Sequence, residues 1–164
     1  MLLIREATTA DVESIRQLAQ QTWVPTYTPL LGAEQVNYML QEIYSAEKIT
    51  TQIKTGSQTY LLLIDNENLV GFASYSPRDE DKQIYKLHKL YCHPSTQGKG
   101  YGKLLINTVI EKTLAAGVNT LELNVNRHNK AKTFYEKMGF TLTYEEDIPI
   151  GPYWMNDYVM RKVL

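Results

Sequence analysis

Three glycines fall within five positions, Gly98, Gly100 and Gly102, with Gln97 ahead of them and Lys99, Tyr101 and Lys103 among and after them. Residues without a Cβ let the main chain come close to a ligand and adopt left-handed conformations. The run upstream, Leu87 to His93, is apolar and aromatic enough for a mostly buried strand. Pro94 ends it, because proline has no N–H for the ladder. Downstream, Leu104, Leu105 and Val109 open an apolar helix whose first N–H groups lack intrahelical acceptors. A strand, a glycine turn and a helix start make an anion site, and phosphate is the usual anion. His88 stands on the same strand, and its ordinary pKa near ~6.5 suits proton transfer.

Two common phosphate motifs do not fit. A Walker A loop needs glycine at 97 and Ser or Thr after Lys103, but Gln97 and Leu104 stand there. A dinucleotide fingerprint needs a third glycine where Lys103 or Leu105 stands. The pattern that fits is Gln/Arg-x-x-Gly-x-Gly/Ala, carried by Gln97, Gly100 and Gly102. It resembles the coenzyme A pyrophosphate loop of the GNAT N-acetyltransferases. The strand ending Leu90-Tyr91-Cys92-His93-Pro94 is similar to that family's central strand. A second motif resembles the same family: Asn129, then Ala131, Phe134, Tyr135, Lys137, Gly139 and Phe140. The resemblance follows element order along nearly the whole chain, and its specific motifs lie between Leu87 and Phe140. The LHKLY and FYEKMGF runs are also similar to bacterial polyamine-type acetyltransferases, which is too general to fix a substrate.

The resemblance implies an α/β (α+β) fold, a mixed and mainly antiparallel sheet of six or seven strands flanked by helices. In that fold the central strand, Leu87 to His93, and the next, Leu121 to Asn126, splay apart and admit the pantetheine arm of the cofactor. The implied activity is acetyl transfer from acetyl-CoA to a primary amine by direct attack in a ternary complex, without a metal. Gln97, Gly98, Lys99, Gly100, Tyr101, Gly102 and Lys103 then hold the diphosphate, and Asn129 serves both cofactor and helix start. A main-chain N–H within Leu90, Tyr91 or Cys92 receives the oxyanion, since a fixed dipole needs no reorganisation.

Proton transfer falls to His88 and Tyr135. The segment Lys86 to Leu90 is similar to the His-x-His-Ala-Leu strand of serotonin N-acetyltransferase, a member with histidine bases, with Lys86 replacing the first histidine. His88 is therefore a candidate base, alongside deprotonation through a chain of waters. Tyr135 is the family-matched acid for the leaving thiolate, and a phenol pKa near ~10 is close to that of an alkyl thiol. Cys92 is expected to pack rather than carry an acyl group. His93 and His128 have no partner at metal-ligand spacing.

For the acceptor, Trp23, Tyr27, Tyr153 and Trp154 are candidate pocket walls, by cation–π contact with an amine. Glu145, Glu146, Asp147 and Asp157 could attract its ammonium. The plainer reading is at least as good: Trp23 and Tyr27 staple two helices together, and the acidic run is a solvated turn.

At 164 residues the chain is expected to form one domain, residues 1–164, long enough to bury a substantial core. A net charge of −1 without a basic run argues against a nucleic-acid footprint. Arg5 and Glu6 come too early for a signal peptide, and no apolar run is long enough to span a membrane, so a cytoplasmic protein is expected. Cys92 is the only cysteine, which excludes an intrachain disulfide. A homodimer is an expectation from the resemblance alone.

The elements that must position these residues read as follows. Leu2 to Arg5 is a strand, and Thr9 caps a helix carrying Val12, Ile15, Leu18, Ala19 and Thr22. Pro25 and Pro29 break that pattern, a second helix runs from Ala33 to Tyr44, and Ser45 caps a third that ends at Gly56. Tyr60 to Ile64 and Leu69 to Tyr75 form a hairpin joined by Asp65 to Asn68, with Gly71 at a bulge or close approach. Ser76 to Lys82 is a solvated polar loop. Gln83 to His93 is the central strand, Gly100 to Ala116 a helix, Val118 to Val125 a strand, and Asn129 caps a helix reaching Met138. Phe140 to Tyr144 and Asp157 to Leu164 close the fold, with Glu145 to Asn156 a loop between them.

Two other classes fit the same residues: an acyl-CoA sensor that does not turn over, and an interaction module whose glycine turn is only structural. A rise in melting temperature with coenzyme A separates either ligand-binding reading from the last.

Overall fold

The computed structural model describes residues 1–78 and 83–164. The part of the polar loop from Asp79 to Lys82 lies outside the described residues. In chain order the elements are β1 (Leu2–Glu6), α1 (Val12–Leu31), α2 (Ala33–Ile43), α3 (Ala46–Thr55), β2 (Thr59–Asp65) and β3 (Asn68–Pro77). They continue with β4 (Ile84–Cys92), α4 (Tyr101–Ala115), β5 (Thr120–Asn126), α5 (Ala131–Lys137), β6 (Thr141–Ile150) and β7 (Tyr153–Val163). The strands form one seven-stranded sheet in the order β1-β2-β3-β4-β5-β7-β6. Only the β4–β5 pair is parallel. This is the mixed, mainly antiparallel sheet expected.

Helices cover both faces, so β2 is apolar through its middle rather than alternating. In β2, Tyr60 and Leu62 join the core under α1, α2 and α3, with Ile15, Trp23, Met39 and Ile49. Leu61 and Leu63 point the other way, to Leu105, Ile106 and Val109 of α4. The β2–β3 turn needs only Asn66 and Glu67, both at positive φ (49° and 70°), shorter than the four-residue link expected. Gly71 earns its place by proximity. A Cβ there would lie 3.1 Å from both Cys92 Sγ and a Leu105 methyl.

Three sequence expectations change. Pro25 and Pro29 do not end α1, which runs on to Leu31 and closes when the Gly32 N–H donates to the Thr28 carbonyl at 2.9 Å. Trp23 and Tyr27, 3% and 4% exposed, lie on the buried side of this stretch, and their packing outweighs the backbone bonds the prolines remove. Thr9 is not the cap: Thr8 caps a single 3-10 turn, Thr9–Asp11, that leads into α1, with the Thr8 N–H donating to Asp11 at 2.8 Å, and Asp11, which stands just before α1, also holds Arg5. The largest change is at the C-terminal end. Glu145 to Asn156 is not a loop, because β6 and β7 pair along their length and turn only at Gly151-Pro152. Ile148, Ile150, Tyr153 and Met155 bury one side of that hairpin against the α1–α2 core.

Gly151 holds the hairpin tip in place. It has φ +57°, and an added Cβ would overlap the Tyr38 hydroxyl. The substitution Gly151→Ala is expected to destabilise the fold by about 1–3 kcal/mol through overpacking and backbone strain. Urea denaturation of the two proteins side by side checks this; an unchanged midpoint would show that the tip is free to move.

Lys89 is the unusual core residue. It is 6% exposed, and its Nζ donates to Gln58 Oε1 at 2.9 Å while lying 5.3 Å from the Tyr60 ring centroid and 5.6 Å from that of Tyr44. No carboxylate among the described residues pairs with it. Burial pulls its pKa down to about 7. The unfolded chain keeps this proton up to about pH 10, whereas the folded chain releases it near 7. Its burden on folding is therefore full below about pH 7 and fades as pH rises toward 10. Lys89→Met is expected to gain stability over the native chain at pH 6, and to lose that advantage by pH 10. Denaturation at the two pH values tests the difference.

Candidate active site

The site forms where β4 and β5 part. Their parallel ladder runs from Ile84↔Thr120 to Leu87↔Leu123 and goes no further. On the other side of β4 the register with β3 shifts: Tyr75 faces Leu87 and Ser74 faces Lys89, leaving His88 as the extra residue of a bulge. From His88 onward the β5-facing edge of β4 has no strand partner among the described residues, so main-chain groups there are free to meet a ligand. A cavity of about 790 Å³ occupies the gap. Its walls are β4 from Leu87 to Cys92, the glycine turn, β5 at Leu123, Asn124 and Val125, Tyr27 of α1, Tyr135 of α5, and Asn129 in the loop before α5.

At one end lies the glycine turn. Gly98 and Gly100 have φ +85° and +77°, conformations that L side chains resist. The Leu104 N–H returns to the Gly100 carbonyl at 3.0 Å, so the N–H groups of Tyr101, Gly102 and Lys103 have no intrahelical acceptor. No acidic side chain sits in the first turn of α4 to occupy them. The Tyr101 hydroxyl is tied to Asp65 at 2.7 Å, and Phe134 lies 3.5 Å from where a Cβ on Gly102 would be. Lys99 does not line the cavity; its Nζ sits 5.9 Å from the Tyr101 ring centroid.

Further along, Tyr135 faces the cavity while only 8% exposed, with its ring against Phe134 and Phe140. Burial pushes its pKa up, so the phenol stays protonated. His88 Nε2 lies 2.7 Å from Ser76 Oγ. Burial first, and then the charges of Lys89 and Lys86, pull its pKa down to about 3, so the ring is neutral at pH 7. Cys92 is pushed up to about 11 by burial, which keeps it a thiol and poorly nucleophilic.

Asn129 is not the final cap of α5, which starts one residue later, after Lys130. Its Oδ1 accepts from the Ala131 N–H at 2.9 Å, and its Nδ2 donates to the Tyr27 hydroxyl at 3.0 Å, bridging α5 to α1. Tyr27 is the one of the four expected pocket aromatics that lines the cavity. Trp23 is core, packed on Tyr27, Tyr44 and Tyr91. Tyr153 packs against Tyr38 at the hairpin tip with the rings tilted at 60°, and Trp154 beside it is 57% exposed. Both were misplaced for one reason: the expected loop that would have carried them to the cleft is a strand held against α2. The acidic group is also divided. Glu145 and Asp147 pair with Arg127 at 3.7 and 2.8 Å, whereas Asp157 is buried beside Asn124. Asn124 was missed as a cavity residue, although its place opposite Leu123 and Val125 in the alternation of β5 was visible.

These residues can bind an anionic chain at the turn, extend it along an open strand edge, and present a phenol to it. The sequence matches the model of an acetyltransferase (GNAT) domain over residues 27–151. It is 25% identical over 155 residues to an uncharacterized N-acetyltransferase of Mycobacterium bovis, covering 94% of this chain and 98% of that protein. It is 23% identical over 163 residues to the spermidine N(1)-acetyltransferase of Thermoplasma acidophilum, covering 97% and 95%. The crystal structure of PaiA N-acetyltransferase from Thermoplasma acidophilum in complex with coenzyme A superposes with a TM-score of 0.86 at 24% identity. It covers 100% of this chain and 99% of that one.

Proposed function

The chain belongs to the GNAT acetyltransferase family, and from that premise we propose that residues 1–164 form one acetyl-CoA-dependent N-acetyltransferase domain acting on a primary amine. The observation that carries this reading is the continuity of the cavity, from the Gly98–Gly102 turn along the unpaired edge of β4 to Tyr135. The free N–H groups of Tyr101, Gly102 and Lys103 grip the diphosphate, reinforced by the partial positive charge of the α4 start. The unpaired β4 edge between His88 and Cys92 takes the pantetheine arm as an added strand. Bound acetyl-CoA supplies an activated thioester.

Around it, each residue has a limited task. A main-chain N–H of the Leu90–Cys92 segment stabilises negative charge on the carbonyl oxygen. Tyr135, held protonated by burial, gives its proton to the departing thiolate. His88 is unprotonated and so accepts a hydrogen bond, but a conjugate acid near pKa 3 holds a proton poorly. The amine proton therefore passes on to solvent, directly or through His88.

The test has two arms. Coenzyme A in slight excess should raise the melting temperature, and free thiol should be released when acetyl-CoA is mixed with at least one of a panel of polyamines, aminoglycosides, amino acids and N-terminal peptides. A melting curve indifferent to coenzyme A ends the proposal. A shift without thiol release on any amine would leave a binding protein, not an enzyme.

A further inference from the structure

The Tyr27 hydroxyl is an acceptor by construction, and its own proton is left over. Asn129 Oδ1 accepts from the Ala131 N–H at 2.9 Å, and a main-chain N–H can only donate, so the amide cannot turn over. Its NH₂ is thereby aimed at Tyr27, and Nδ2 donates to the phenol oxygen at 3.0 Å. The Tyr91 hydroxyl approaches the same oxygen. Burial raises the pKa of both phenols most; beyond that, their contact raises Tyr91 and lowers Tyr27, the sense in which Tyr91 donates and Tyr27 accepts. An oxygen that accepts on these sides turns its proton away from them. Among the described residues that proton meets no acceptor, and Tyr27 lines the cavity.

The ring is held in place. It is buried, with its centroid 4.5 Å from that of Trp23, which packs on Tyr91 as well at 6.1 Å. The hydroxyl therefore stands beside the β4 stretch from Leu90 to Cys92, where β4 and β5 have parted. A neutral amine attacks with its lone pair, so a donor aimed at the nitrogen would oppose the reaction. Aimed at the carbonyl oxygen, it strengthens as charge develops.

We propose that Tyr27 is a second donor to the acetyl carbonyl oxygen, and that Asn129 is the positioning residue that points its proton there. The proposal rests on the acetyl-transfer reading above and deepens it. As the C–N bond forms, the carbonyl electron pair moves onto the oxygen, between the main-chain N–H and the Tyr27 hydroxyl. As the pair returns, the C–S bond breaks and the thiolate takes its proton from Tyr135. Tyr27 keeps its own proton throughout, held by burial and by the Asp157 charge.

The experiment uses two variants that preserve the packing. Tyr27→Phe removes the hydroxyl and leaves the ring on Trp23. Asn129→Asp still accepts the Ala131 N–H, but offers Tyr27 an acceptor in place of a donor and draws its proton out of the cavity. Each should lower kcat about a hundredfold, the usual worth of one such donor, with KM for acetyl-CoA within about threefold and the full melting shift with coenzyme A. The double variant should lose no more than either single one, because both remove the same bond. Acetyl-CoA labelled with ¹³C at the carbonyl, bound without an amine, should show a lower carbonyl infrared frequency in the native protein than in either variant. Losses that multiply in the double variant, or equal carbonyl frequencies, would overturn the proposal. So would a fall in kcat that comes with loss of the coenzyme A shift, since that marks a structural role. Variants with kcat within about twofold of an active native protein would sink this inference and leave the acetyltransferase reading standing. A native protein that binds coenzyme A and shows the frequency difference, yet transfers to no amine, would end that reading and keep the donor.

Discussion

Tyr135→Phe is expected to lower kcat by about 10²–10⁴, the usual worth of a positioned general acid, while the KM for acetyl-CoA stays within about twofold. The variant removes one oxygen and keeps the ring against Phe134 and Phe140. No hydrogen bond within the protein is lost, because among the described residues the hydroxyl donates to nothing and opens onto the cavity. Stability should therefore hardly change, which separates this outcome from a general weakening of the fold. Burial raises the pKa of the phenol, so Tyr135 itself imposes no alkaline limb on the rate below about pH 10. Steady-state thiol release over pH 6 to 9.5 measures both points. A kcat within a factor of two of the native value would remove Tyr135 from the chemistry and leave solvent to protonate the thiolate.

Gly102→Asp should act in opposite directions on stability and on binding. At this position φ is not positive, and a Cβ would make only ordinary contact with Phe134 at 3.5 Å. A side chain therefore fits. A carboxylate in the first turn of α4, where there is no acid at present, favours the helix by about 0.3–1 kcal/mol through the partial charges of the helix end. The same carboxylate would accept the N–H groups that the diphosphate needs and repel its charge. Affinity for coenzyme A is expected to fall at least a hundredfold, while the melting temperature of the free protein holds or rises. Gly102→Ala is the control: it adds the Cβ without the charge and should keep most of the affinity. Calorimetric titration of both variants decides the matter. If Gly102→Asp still binds coenzyme A near native affinity, the anion lies elsewhere.

Much of the site could be read directly from the chain because its parts are local. A glycine run between a strand and a helix dictates its own backbone, and Gly98 and Gly100 take the left-handed conformations that their lack of a side chain allows. The run from Ala131 to Phe140 places Tyr135 by helical spacing alone. The family follows from the same motifs, and the match over residues 27–151 agrees with them. The acceptor side was harder. Trp23, Tyr153 and Trp154 are aromatics of the right type, but type does not say which way a side chain faces. Burial of Trp23 and removal of Trp154 to the hairpin tip depend on partners more than twenty residues away.

The amino-acid order alone thus determined the turn that meets an anion, the strand before it, the phenol on its helix, and a layered α/β plan. Tertiary structure alone decided that α1 runs through two prolines, and that His88 sits in a bulge where the β4–β5 ladder ends. It also decided that β6 and β7 close into one long hairpin, and that Asn124 and Asp157 meet with two oxygens unanswered. The physical reason is range. Backbone conformation and helical phase are set by neighbours a few residues away, whereas a bulge, a parting of strands or a buried polar pair is set by what packs across the sheet.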